Sequence, residues 1–203
     1  MLNRSSESGE PRVIDALRGA TRSLHTDLGS SHAMSRLFAS DYTVSEYRDH
    51  LGRLLGFFEP LESAAPRHET AEFSPLAIQR SGDLREDLRN MGATQKDIDA
   101  LERCHTLPSI SHAGLRGYTY VVLGSTLGAR VIVKQLRAVL GPEASFRFYG
   151  DEDGRHRAAW ESFCSDLEAN GRNDVEAICA TAIGVFNAYA AWFSDPFIQS
   201  AGC

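Results

Sequence analysis

Apolar residues recur at intervals of three and four along most of the chain and nowhere alternate with polar ones over a strand's length, a pattern that predicts helices and no sheet. Pro11 suits a first helical turn, and Val13, Leu17, Leu24 and Leu28 keep helical spacing to about Gly29. After a serine-rich break, His32 to Ala39 supplies another turn or two. Thr43 and Glu46 then form a capping-box pattern ahead of Tyr47, Leu51, Leu54, Leu55 and Phe58, with Pro60 bending or ending that helix. Residues 61–82 match no clean period and hold Pro66 and Pro75, so they read as a mixed connection to which Phe73–Ile78 contributes helical turns. Leu84, Leu88 and Met91 mark a short amphipathic helix stopped by Gly92, and Thr94 opens another with Ile98, Leu101 and Cys104 as its inner face.

One long helix is expected between Arg116 and Leu140, closed by Gly141 and Pro142. Phe146 to Gly154 reads as a turn-rich loop. Trp160, Phe163, Cys164 and Leu167 carry a further helix, and the last begins at Asp174 and ends before Pro196. The predicted architecture is all-α, a single-domain bundle of roughly seven or eight helices. Residues 1–10 are expected to be a disordered lead, 11–196 the helical domain and 197–203 a tail.

Composition narrows the function without choosing it. The 27 acidic and 21 basic residues leave a net charge of −6, which argues against nucleic acid as a partner. The four cysteines have neither CxxC spacing nor the density of a disulfide scaffold, and reduced thiols in a cytoplasm follow. Ala177 to Ser194 is uncharged for 18 residues, the short limit for a membrane span. It is poor in large aliphatics and flanked by acids, so a buried bundle helix, and no membrane, is the expectation.

Two features stand out from this frame. Arg18, Thr21 and His25 share one face of the first helix, beside the strip of Leu17, Leu24 and Leu28. A lone histidine there is either a satisfied, partly buried side chain or a ligand. The stretch GSTLGA places Gly124 and Gly128 inside a helix, where each costs about 1 kcal/mol relative to alanine. Such a pair either admits a neighbouring helix or leaves a flat slot in which a planar ligand touches main chain. The remaining histidines, His32, His50, His68, His105, His112 and His156, have no companion at helical spacing, and no metal site built from them is expected.

Taken together, LRGATRSLHTDL and the later YTYVVLGSTLGARVIVKQL resemble the heme oxygenase family, in its bacterial, bacteriophytochrome-associated branch. The likeness extends from about residue 11 to 195, with TVSEYRDHLGRLLGFFEPLE and VFNAYAAWF in the expected places. The resemblance implies a heme-oxygenase-type bundle that degrades heme to biliverdin, carbon monoxide and ferrous iron. O2 is consumed, and electrons come from ferredoxin or an NADPH-dependent reductase. Heme is then both substrate and cofactor, and a functional link to a bacteriophytochrome is implied.

The same resemblance makes His25 the proximal iron ligand, and puts Gly124, Ser125 and Gly128 on the opposite heme face. Arg18, Lys134 and Arg157, with Arg155 as an alternative, become partners for the propionates; Thr21, Tyr120 and Phe186 line the heme. Two positions depart from the common pattern: Ser125 replaces an aspartate after the first distal glycine, and Gly29 replaces a glutamate one turn past the histidine. Two rival readings are a non-catalytic heme carrier or sensor of the same fold, and a related helical enzyme of thiamine or quinone precursors. The latter needs neither His25 nor the glycine pair.

Overall fold

A computed structural model of the chain describes residues 11–66, 80–141, 144–150 and 154–194. The expected lead, the tail and the helical turns at Phe73–Ile78 lie outside the described residues. These residues form nine α-helices and a short 3-10 turn, with no strand among them: α1 (Val13–Gly29), α2 (His32–Arg36), α3 (Val44–Ala64), α4 (Arg80–Asn90), α5 (Gln95–Ala100), α6 (Leu115–Leu127), α7 (Ala129–Leu140), α8 (Arg155–Asn170) and α9 (Val175–Ser194).

The capping signals act where the sequence places them. Thr43 and Glu46 satisfy each other's backbone at the start of α3, and Thr94 and Asp97 do so for α5. Pro60 neither ends nor breaks α3, which runs on to Ala64. Proline lacks the N–H that would bond the carbonyl four residues back, and the Gly56 carbonyl accepts instead from the Cys104 amide at 2.9 Å. That bond needs a bare α3 backbone, because a side chain at Gly56 would run into the Glu102 carbonyl. The helix opened by Thr94 is correspondingly shorter than expected. It ends at Ala100, and Leu101 and Cys104 belong to the extended segment lying on α3.

The larger core gathers Leu51, Leu55 and Leu61 of α3 with Leu84 and Leu88 of α4, Leu136 of α7 and Phe148 of the 144–150 segment. A smaller core joins Val13, Ile14 and Leu17 of α1 to Leu123, Phe163, Leu167, Ile178 and Ala182. Helix α9 packs along both α1 and α6. Together with its preceding turn it is long and apolar enough to cross a membrane by length and composition, with 28% of its apolar window buried; Ile178, Ala182 and Val185 are among the residues it buries in the bundle.

The face of α4 that reads as polar is also covered. Asp87, fully buried, accepts from Ser145 Oγ at 2.6 Å and from the Arg147 and Phe148 amides at 2.8 and 2.9 Å. Arg80, equally buried, lies over the Phe148 ring, donates to the Phe148 carbonyl and meets His156 Nε2 at 3.3 Å. These bonds fasten the 144–150 segment, and with it the start of α8, to α4.

His50, on α3, is buried against that segment, its Nε2 2.6 Å from the Tyr149 hydroxyl. Burial holds its imidazole down at about 4, with nearby Arg53 acting the same way. A folded-state pKa below the ordinary 6.5 favours the neutral ring, so His50 leaves stability intact above pH 6.5 and erodes it as the pH falls toward 4. Urea titrations should show up to about 3 kcal/mol lost across that window, and a His50→Gln variant should lose that slope. Asp87 and Glu62, whose carboxyls burial pushes up, act with the opposite sign; the comparison with the variant cancels them.

Candidate functional site

Helix α1 is fixed at its start and left open at its end. The Glu168 carboxylate on α8 accepts from the Val13 and Ile14 amides, each at 3.1 Å, taking two of the donors that a helix N-terminus leaves unmet. Leu17 is wholly buried, but Leu24 and Leu28 are only half-buried, and His25 between them is exposed. The apolar strip seen in the sequence therefore runs out of protein to pack against in the turns that carry His25. The imidazole stands edge-on to Phe186 of α9, with ring centroids 6.4 Å apart.

The expected single helix over 116–140 is two helices meeting at Gly128. In the turn before it, Ser125 Oγ donates to the Val122 carbonyl and Thr126 Oγ1 to the Leu123 carbonyl, both at 2.7 Å. Such back-bonding competes with the helical ladder and loosens it. Gly128 follows at φ −82°, with nothing within 4 Å of where a side chain would begin. At Gly124 the sole neighbour of that position is the Trp160 ring edge, 3.8 Å away, an ordinary van der Waals distance.

Neither glycine is therefore pressed against another helix. That task falls to Gly114 and Gly117, where a Cβ would strike the Thr181 side chain and the Ile178 carbonyl of α9 respectively. The sequence carried this signal in the GLRG spacing just upstream of the pair that drew notice.

Links between α8, α6 and α1 give the site its orientation. Arg116 at the start of α6 pairs with Asp166 at 2.7 Å, while Tyr120 and Gly124 meet Trp160 nearer the start of α8. Val13 is held by Glu168, and Thr21 lies 3.3 Å from the Tyr120 hydroxyl. Helices α1 and α6 thus advance in the same direction along α8. The turns beyond the Thr21–Tyr120 contact carry His25 on one side and Gly124 on the other.

The named cations sit around the periphery in weak engagements. Arg18 approaches Asp15 at 3.7 Å and Arg157 bonds Glu161 at 3.1 Å, both pairs on the surface, where solvent screening leaves little net attraction. Lys134 is exposed on α7. The side chain of Arg155 lies outside the described residues. Gly29 opens onto free space, so the protein offers His25 no side chain from that position.

A model of the heme oxygenase family matches residues 12–195. The chain belongs to the heme oxygenase family. Among solved structures it is similar to heme oxygenase from Leptospira interrogans, at 17% identity over 89% of this chain and 100% of that one, with a TM-score of 0.61. It is also similar to heme oxygenase-1 from the cyanobacterium Synechocystis in complex with heme, at 14% identity over 94% and 96% of the two chains, with a TM-score of 0.59. No curated protein matches it. The all-α bundle is thus the heme oxygenase fold. The residues singled out in the sequence thus comprise half-buried leucines, an exposed imidazole and an open backbone at Gly128, with Arg18, Lys134 and Arg157 at the surface.

Proposed function

We propose that this protein cleaves heme to biliverdin, carbon monoxide and ferrous iron, using O2 and electrons from ferredoxin or an NADPH-dependent reductase. The observation that carries the reading is the division of labour among the glycines of one helix. Gly114 and Gly117 serve packing against α9 and Gly124 meets the Trp160 ring edge at 3.8 Å, whereas Gly128 is uncovered among the described residues, as is the imidazole of His25. A merely structural glycine would be pressed against neighbouring main chain, as Gly117 is and Gly128 is not.

His25 is the residue that would hold the iron, through a deprotonated ring nitrogen. With no protein carboxylate reaching it from position 29, its other nitrogen is left to water, and the ligand is less basic than one paired with an acid. Phe186 and the Leu24 and Leu28 side chains supply apolar contact to the macrocycle. Arg18, Lys134 and Arg157 are free to turn from their solvated positions toward propionates. Bound heme supplies the O2 chemistry itself.

On the opposite side, Gly124 and Gly128 let main chain approach where side chains would block a diatomic ligand. The Ser125 proton is spent on the Val122 carbonyl, so its oxygen acts there as an acceptor and can hold a water by one of that water's protons. Thr21 and Tyr120 line the floor between the two helices.

The test is aerobic turnover. Hemin-loaded protein given ascorbate should lose its Soret absorption and develop biliverdin bands within minutes to hours. Tight hemin binding with an intact spectrum after prolonged reduction would instead mean a carrier.

A further inference from the structure

The contact between Thr21 and Tyr120 does more than line a floor. Thr21 is buried and donates its single hydroxyl proton to the Leu17 carbonyl at 2.8 Å. The 3.3 Å contact with Tyr120 must then run from the phenol O–H to the threonine oxygen. The phenol ring is braced on its other side by Trp160, centroid to centroid 5.9 Å, and Trp160 is in turn packed on Phe163. Tyr120 thereby reaches from α8 through α6 to α1, three elements whose other cross-links, Glu168 to α1 and Asp166 to α6, lie toward the far end of α8.

We infer that the Thr21–Tyr120 hydrogen bond is a strut that sets the spacing of α1 from α6, and that both are positioning residues for His25. His25 follows Thr21, and Gly124 follows Tyr120, by four residues, a single helical turn on each side. A helix turn is stiff over that distance, so the separation fixed at the strut is passed on to the imidazole and to the bare backbone facing the same opening. Beyond the strut the described contacts that bear on this spacing are indirect, through α9, which packs along both helices and sets Phe186 beside His25. This inference rests on the proposed role of His25. Its own content is that a bond made away from the iron tunes how the imidazole is presented.

The experiment compares Thr21→Val, Tyr120→Phe, the double variant and Thr21→Ser. In the ligand-free protein, thermal unfolding should show Tyr120→Phe adding nothing further once Thr21→Val has been made, because both remove the bond between them, while Thr21→Val alone also loses its bond to the Leu17 carbonyl. In the hemin-loaded protein the two single changes and the double should weaken hemin affinity by about fivefold, the worth of one lost hydrogen bond. They should also share one common shift in heme midpoint potential and in the ferrous iron–histidine stretching band, while Thr21→Ser restores all three readouts. Additive effects of the two single changes, or an unmoved iron–histidine band in Tyr120→Phe, would overturn the strut. Failure of the wild type to give a His25-dependent hemin spectrum would overturn the functional reading instead, and the ligand-free comparison would still report on the bond.

Discussion

Replacing His25 with alanine is expected to abolish the heme chemistry while leaving the fold untouched. The imidazole is exposed and its one described ring neighbour is Phe186, 6.4 Å away, so little packing is lost. Alanine is also the better helix former. Unfolding of the ligand-free variant should therefore stay within about 0.5 kcal/mol of the wild type, as for ordinary surface changes. Hemin is a different matter. On the proposed reading the change removes the nitrogen that would hold the iron, a larger loss than the outer-shell changes that cost about 10- to 100-fold in metal sites. Bilin formation should fall by at least about 100-fold, and the ferric Soret band should move to a non-imidazole position. A variant that turned over hemin at an unaltered rate would remove His25 from the site. One that unfolded would show that the histidine is part of the core after all.

How much of this was legible beforehand depends on the range of the interactions involved. Helix starts governed by neighbours three residues away, as at Thr43–Glu46 and Thr94–Asp97, were readable because the partners sit within one turn. The continuation of α3 through Pro60 was not, since the bond that replaces the lost one comes from Cys104, far along the chain. The break at Gly128 was hidden by apolar periodicity that continues across it. The polar face of α4 gave no sign of burial. Leu84, Leu88 and Met91 mark one inner face, while Arg80 and Asp87 are buried on another by the 144–150 segment, a tertiary contact that periodicity cannot express.

The candidate site shows the same divide. His25 and the Gly124–Gly128 pair stood out because each violates a local expectation, an imidazole at the border of an apolar strip and glycine within a helix. Thr21 and Tyr120 carried only the weaker hint of lying on the same face or near the glycines, and their bond to each other joins residues 99 apart. Arg18 and Arg157 were found by position, yet each is engaged with an acid on its own helix. Helical spacing brings cations near a site without deciding which carboxylate they serve.

The sharpest separation of fold from function lies in two glycines of one connected stretch, changed to the same residue. At Gly117 a methyl group would be driven into the Ile178 carbonyl and to 3.0 Å from the Ala182 amide. Backbone cannot rotate away as a side chain can, so α6 and α9 must part, and with them the small core of Ile178, Ala182 and Leu17. Overpacking of this kind costs about 3 kcal/mol, which for a chain of this size lowers the thermal midpoint by roughly 10 °C. At Gly128 the same methyl group meets open space at a φ of −82° that any residue adopts. Alanine there should raise ligand-free stability by up to about 1 kcal/mol through helix propensity. Gly128→Ala should nevertheless slow hemin turnover by about tenfold, because it fills space the ligand needs at a cost near that of a misfitted contact, about 1.4 kcal/mol. Calorimetry on both variants, with ascorbate-driven turnover, resolves the two effects. A Gly128→Ala protein that is stabler and fully active would show that glycine to be neither structural nor functional, and would leave the proposed heme face without its main support.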